Sequence, residues 1–203
     1  MTNSKKLPSI REHKALFRAD TQSNIDKFLK GGFNPSREDG VWAGQGLYFW
    51  DNLSNAKYWL QNRTNKHPEI KYGLTMAELE VNHNQILDLT DDDESKKLKI
   101  IAQKYAHLDD MNLNLNENGT VINYVYDRLK HDGKAVFLVV KIHGSYPKKH
   151  SNGIIGMNEV KYVKSPHATA KVRTIYAVRE PQVLIRRFSI DPTKEEISDE
   201  FPF

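Results

Sequence analysis

The sequence predicts an α+β fold in a single domain, and three observations carry that prediction. Short apolar segments of strand length are interleaved with stretches whose apolar residues recur at helical spacing. The two kinds of segment follow no strict strand–helix–strand rhythm, which argues against a doubly wound parallel sheet. At 203 residues the chain has the size of one domain, and no internal repeat is visible. The domain is read as 1–203, with 1–12 and 191–203 as loosely attached tails.

The elements follow in order. His13-Lys-Ala-Leu-Phe-Arg18 reads as a short strand. Asp20-Thr-Gln-Ser-Asn24 offers several N-caps for a helix whose Ile25, Phe28 and Leu29 share a face, and Gly31-Gly32 stops it. After a loop at 34–40, Gly44-Gln-Gly-Leu-Tyr-Phe-Trp50 is a glycine-led strand. Asp51-Asn52 caps the next helix, through Leu53, Ala56, Tyr58 and Leu60. Leu74, Met76, Leu79 and Val81 mark a strand, and Ile86-Leu-Asp-Leu89 a shorter one. Asp91-Asp-Asp-Glu94 caps a helix with Leu98, Ile101, Ala102, Tyr105 and Leu108 at helical spacing. That acidic run suits the positive end of a helix and lacks the ligand periodicity of a calcium loop. A helix through Val121, Tyr124, Val125 and Leu129 follows, and His131-Asp-Gly133 turns the chain into an apolar strand at 135–140. Strands are expected at 159–163, 174–178 and 183–185, with a loop at 165–170.

Composition narrows the function. The hydrophobic fraction is only 38%, but 9 Tyr, 8 Phe and 3 Trp can build a core, so a disordered chain is not expected. No cysteine is present, which excludes disulfides, thiolate zinc sites, iron–sulfur clusters and a cysteine nucleophile. No run approaches the roughly 20 apolar residues of a membrane span, and Met1-Thr-Asn-Ser-Lys-Lys6 precedes no apolar leader. The default compartment is the cytoplasm, and no membrane partner is expected. The eight histidines show no metal-ligand spacing, so no metal is expected either. The net charge of +4 with a pI near 9.0 leaves room for an anionic partner without requiring one.

A larger pattern spans residues 15–59. It runs Ala-Leu-Phe-Arg18-Ala-Asp20, a helix ending Phe-Leu-Lys-Gly-Gly-Phe33, a loop, then Gly44-Gln-Gly46-Leu-Tyr48-Phe-Trp-Asp and a helix carrying Tyr58. This order resembles the NAD-binding half of the ADP-ribosyltransferase superfamily. Gly-x-Gly-Leu-Tyr48-Phe-Trp-Asp is similar to the Gly-x-Gly-Ile-Tyr-Phe-Ala-Asp of poly(ADP-ribose)-polymerase-like members, and Tyr58 answers to their second tyrosine, with one residue fewer between. Leu16-Phe-Arg18-Ala-Asp20 resembles instead the Tyr-Arg-Ala-Asp of cholera-toxin-like members. The segments Ile86–Leu89 and Val178–Ile185 also resemble bacterial members. The resemblance implies an ADP-ribosyltransferase-like fold of two packed antiparallel or mixed sheets flanked by helices.

The residues make chemical sense for such a substrate. NAD offers a flat cationic ring, a pyrophosphate and two riboses. Two tyrosines a short helix apart can flank the ring. Glycines at 44 and 46 admit close backbone approach. Arg18 can hold ribose hydroxyls or phosphate by charge-assisted hydrogen bonds. By resemblance, the NAD-binding set is Arg18, Ala19, Asp20, Gly46, Tyr48, Ser54, Asn55 and Tyr58, with the Ala19 backbone on the nicotinamide amide. Arg18 and Tyr48 are also the catalytic pair. Active members place a glutamate at the start of a strand after a target-recognition loop. Here the aligned position is Thr174 or its neighbour Arg173, neither of them acidic; Glu159 is the first choice for the carboxylate, ahead of Glu180, which stands at the strand's end before Pro181. Taken singly, Arg18 reads as a solvated strand-end arginine and Tyr48 as a core aromatic; their ordered combination points to a site.

The resemblance therefore implies a mono-ADP-ribosyltransferase with NAD as substrate and no metal. Its acceptor is a macromolecule, protein or nucleic acid. By analogy with small members the chain is a bacterial toxin, effector or phage-defence toxin, acting in its own or a target cell's cytoplasm, with an antitoxin partner left open. The alternative is a non-catalytic module of the same fold binding NAD, ADP-ribose or RNA, motivated by the absent glutamate.

Overall fold

The structure, a computed structural model, describes residues 10–36, 42–145 and 172–192. Seven strands and four α-helices make an α+β architecture: β1 (Arg11–Thr21), α1 (Gln22–Leu29), β2 (Leu47–Trp50), α2 (Leu53–Lys66), β3 (Tyr72–Asn82), β4 (Ile86–Asp88), α3 (Asp92–Leu108), α4 (Asn118–His131), β5 (Val139–Ser145), β6 (Val172–Val178) and β7 (Leu184–Ile190). No helix among the described residues is long and apolar enough to cross a membrane.

Helix starts are set by local chemistry. Thr21 Oγ1 accepts from the Asn24 amide, Asn52 Oδ1 from the Asn55 amide and Asp91 Oδ1 from the Asp93 amide, each satisfying an orphan donor of the first turn. At the far end of α1 the chain turns through Gly31 at φ +92°. The Arg187 guanidinium, reaching over from β7, donates to the Phe28 and Gly32 carbonyls and ties that helix end to the sheet.

The strands form one sheet in the order β4-β5-β6-β2-β1-β3-β7, with only β4 and β5 parallel among the described pairs. The expected two packed sheets are thus corrected to one. The two halves are nevertheless nearly separate. β1 and β3 are in register from Arg11↔Asn82 to Thr21↔Tyr72, whereas β1 and β2 meet only at Phe17↔Trp50. Beyond that pair the halves splay.

Strand alternation sorts the core onto two faces. Phe17, Trp50, Met76, Ile175 and Ala177 point one way, against Ala56 of α2, Leu98 and Ala102 of α3, and Val121, Ile122 and Val125 of α4. Leu16, Leu47, Phe49, Leu79, Val139, Tyr176 and Val178 point the other way, with Phe28 of α1.

Several sequence boundaries shift. The loose N-terminal tail does not extend to residue 12: Arg11 and Glu12 belong to the β1 ladder, and the Tyr176 hydroxyl donates to the Glu12 carboxylate at 2.9 Å. On α3 the buried side is Leu98, Ala102 and Ala106, while Ile101 and Leu108 are exposed, because the covering helix reaches only a narrow stripe. The 135–140 strand begins at Val139 and runs to Ser145; Phe137 instead packs edge-on against Tyr126 of α4, centroids 5.4 Å apart. The expected strand at 159–163, the loop at 165–170 and nearly all of the acidic tail lie outside the described residues.

Candidate functional site

Where β1 and β2 splay, a cleft of about 440 Å³ opens. Arg18, Ala19, Asp20 and Thr21 line it from β1, Gly46, Tyr48, Phe49 and Trp50 from the β2 side, and Trp59 and Arg63 from α2. Trp42, Tyr72 and Ile175 contribute as well. Among the described residues it is a largely aromatic slot with two guanidinium groups and one carboxylate in its lining.

Arg18 sits at the fork. Its Nη1 donates to the Tyr48 carbonyl at 2.9 Å, a position that β1 no longer serves with a ladder amide. Its Nη2 is ion-paired with Asp20, and both side chains are about four-fifths covered. The other carboxylate oxygen of Asp20 accepts from the Thr21 amide and from Asn24 Nδ2. The guanidinium therefore spans the seam in a fixed pose. A second cleft of about 370 Å³ adjoins at the same pair, with Lys27, Phe28, Lys30 and Phe33 in its walls.

Tyr48 is held equally firmly. Its hydroxyl donates to the Gly44 carbonyl at 2.6 Å and accepts from the Ala43 amide at 3.1 Å. Burial pushes this phenol up to about 12, against the smaller opposing effects of the Ala43 amide and Arg179. The phenol is neutral at any working pH, and its hydroxyl serves the turn. What the cleft receives from Tyr48 is a ring.

The turn itself is braced from α4. Asn123 Oδ1 accepts from the Gln45 amide at 2.7 Å and from Arg179 Nη1 at 3.0 Å. Arg179 lies 4.0 Å from the Tyr126 ring centroid, while Glu180 accepts from the Tyr126 hydroxyl. Gly44 has φ +72°, and a Cβ there would stand 2.5 Å from Asn123 Oδ1. Glycine is thus required by both backbone and space.

The structure brings together Arg18, Ala19, Asp20, Gly46 and Tyr48 as the sequence anticipates. It does not bring in the expected residues of α2. Ser54 Oγ donates to the cap Asn52, Asn55 is buried in the helix packing, and Tyr58 lies 4.3 Å over the guanidinium of Arg173. The next residue, Trp59, forms the second aromatic wall, with the Arg63 guanidinium 4.9 Å from its ring centroid. Thr174 is not among the residues that line the cleft; its Oγ1 lies 3.5 Å from His143 Nδ1, and its neighbour Ile175 lines the cleft instead. Glu159 lies outside the described residues. Trp42, Trp59, Arg63, Tyr72 and Ile175 were not anticipated. The spacing of Trp59 and Arg63, one helical turn apart, is the only sequence signal that points to any of them. Among the described residues no cluster of His, Asp or Glu is arranged to hold a metal ion.

Comparison of the chain with protein-family models, with curated proteins and with solved structures gives no match, so what the cleft does has to be argued from its own geometry.

Proposed function

We propose that the chain is an NAD-dependent mono-ADP-ribosyltransferase acting on a macromolecule. One observation carries the reading: an aromatic-walled cleft opens where β1 and β2 part, with a fixed guanidinium at the fork. Tyr48 and Trp59 both line the slot, and such an aromatic lining suits a flat cationic ring by stacking and cation–π attraction. Arg18 and Arg63 supply donors for ribose hydroxyls and pyrophosphate oxygens. Gly46 lines the slot, and a Cβ there would crowd the Val178 carbonyl of β6 at 3.1 Å, so glycine lets β2 sit close to β6 beside it.

The reaction breaks the bond between nicotinamide nitrogen and ribose C1′. The bonding pair leaves with nicotinamide and neutralises its ring charge, while C1′ passes through an oxocarbenium-like state. A lone pair of the acceptor then bonds to C1′, and the acceptor's proton passes to a base or to water. The protein's part is to hold the ribose and the departing ring, which lowers the entropic cost of reaching that state. Because the Tyr48 hydroxyl is occupied by the turn, its ring does this work by contact, without proton transfer. A role as toxin, effector or phage-defence toxin, with NAD and the acceptor meeting in a cytoplasm, belongs to the same proposal by family resemblance alone.

A second reading rests on a specific observation. Among the described residues Asp20 is the one carboxylate lining the cleft; it is already held by Arg18, the Thr21 amide and Asn24, and Ile175 stands where β6 meets the slot. A cleft lacking a base for the acceptor would bind NAD without turning it over. Nicotinamide release by the purified chain, read beside calorimetric NAD binding, separates the two. Release is expected, and it should fall about 10- to 100-fold in Arg18→Ala, the loss of about 1.5–3 kcal/mol of charge-assisted hydrogen bonding. Binding with no release would establish the non-catalytic module; neither would end both readings.

A further inference from the structure

We infer that the outer face of α2 is the docking track for the acceptor, and that the acceptor is a single-stranded nucleic acid; this rests on the transferase reading. Trp59, Arg63 and Lys66 recur at i, i+4 and i+7 and so share one side of α2. The first two line the cleft, and Tyr72, where the chain re-enters the sheet, lines it too. Lys66, at the end of α2, and Lys71, one residue before the cleft-lining Tyr72, are both exposed. Arg63, Lys66 and Lys71 make no ion pair with a carboxylate among the described residues; Arg63 has only the Trp59 ring beneath it. The result is a stripe of unneutralised cations leading to stacking surfaces, the combination that holds a flexible phosphate backbone while presenting single bases.

The start of α3 supplies the contrast. There Asp91, Asp92, Asp93 and Glu94 crowd the start of α3, and its lysines Lys96 and Lys97 are paired with them. A polyanion is drawn to the exposed cations of α2 and repelled by the acidic start of α3. The mild net charge of +4 conceals this division. Phosphate from NAD itself could satisfy the same cations, so the test must tell the two sources apart.

The probe is a fluorescein-labelled 12-nucleotide single-stranded RNA, read by anisotropy across a salt series, with NAD binding and nicotinamide release measured on the same preparations. The wild-type chain should bind the oligonucleotide, with log affinity falling linearly as log salt rises. Reversing both charges, Lys66→Glu with Lys71→Glu, should make that slope shallower by about 1.4, since each phosphate contact on a single strand contributes about 0.7. Lys104→Glu, on α3, should leave the slope unchanged. Both lysines of the track are exposed, and an unaltered thermal melt confirms that the variant is folded. Loss of NAD affinity with the oligonucleotide slope unchanged would assign the row to pyrophosphate and overturn the inference. Nicotinamide release by a wild-type chain that binds no oligonucleotide would overturn it in favour of a protein acceptor. Oligonucleotide binding that depends on the track, with no nicotinamide release, would leave the surface standing and remove the transferase reading instead.

Discussion

β1 has two flanks, and they are built for different tasks. On one side it is zipped to β3 along its whole length, from Arg11↔Asn82 to Thr21↔Tyr72. On the other it touches β2 at Phe17↔Trp50 and then leaves it. The closed flank satisfies its backbone by ladder bonds and buries Leu16, Leu74, Met76 and Leu79 almost completely. The open flank leaves a backbone carbonyl to a side chain, that of Arg18, and surrounds the gap with aromatics that range from the buried Phe49 to the exposed Trp42. Where the ladder stops, backbone groups and space between the strands are freed for other partners. The closed flank serves stability, and the open flank offers the space that the proposed binding needs.

That division can be broken most forcefully on the closed side. Leu79 is fully buried, and Leu79→Ala should cost about 2–5 kcal/mol through lost burial and a residual cavity. Nicotinamide release per folded molecule should be unaffected. Arg18→Ala should do the reverse, lowering turnover about 10- to 100-fold while costing about 1 kcal/mol or less, because the cleft lets water reach the Tyr48 carbonyl. Urea denaturation beside a nicotinamide assay reads both quantities. A large stability loss in Arg18→Ala would mean that the guanidinium holds the two half-sheets together and that the open flank is structural after all.

The braced turn comes next in size. Gly44→Ala forces a side chain into a left-handed backbone and toward Asn123 Oδ1, which Gln45 and Arg179 already engage. The expected cost is about 1–3 kcal/mol, with a parallel fall in NAD affinity as the Tyr48 ring loses its seat. Tyr48→Phe sharpens the point. It removes only the hydroxyl, so stability should fall by about 1–2 kcal/mol while NAD affinity holds. If turnover vanished with affinity intact, the hydroxyl would have a chemical role that its two bonds to the turn do not suggest. The raised phenol also predicts a pH effect. Its folded-state proton affinity exceeds that of the unfolded chain, so its contribution is complete below about pH 10 and is lost as pH rises toward about 12.

What the sequence revealed divides along the same line. The helices were legible because their caps are local: Asn52 and Asp91 each bond an amide two or three residues ahead. The β1 and β2 sides of the cleft were legible because Arg18, Ala19, Gly46 and Tyr48 lie in two short segments that carry the family resemblance. The α2 and β6 sides were not. Tyr58 and Trp59 are neighbours about 100° apart around the helix, and only packing decides which faces the cleft; Tyr58 is drawn to the buried Arg173. Thr174 and Ile175 are neighbours on a strand, so a step of one residue exchanges cleft for opposite face. In the same way Ala135–Leu138 looked like strand, yet Phe137 is claimed by Tyr126 across 11 residues of sequence. Errors of one residue in an element are invisible to periodicity and decisive for a site.

The smallest expected effect lies farthest from the seam, where β4 joins the sheet edge through three residues parallel to β5. Asp88, the last of them, accepts from Lys141 Nζ at 2.8 Å and from both the amide and hydroxyl of Thr90. Burial alone would push this carboxyl upward. The bonds from Lys141 and Thr90 together outweigh it and hold the group below its ordinary range. A carboxyl depressed in the folded state stabilises above its unfolded value of about 3.9, and that stabilisation is lost as pH falls through the lower folded value. Both partners are roughly a quarter exposed, so screening limits the pair to a fraction of a kcal/mol up to about 1 kcal/mol. Asp88→Asn should therefore lower the urea midpoint slightly at pH 7 and narrow the gap between pH 7 and pH 3 relative to the wild type. NAD affinity should not move, because nothing in the edge pair touches β1 or β2. A change in affinity would mean that the sheet transmits strain from its edge to the seam, and the two flanks of β1 would then have to be treated as one coupled unit.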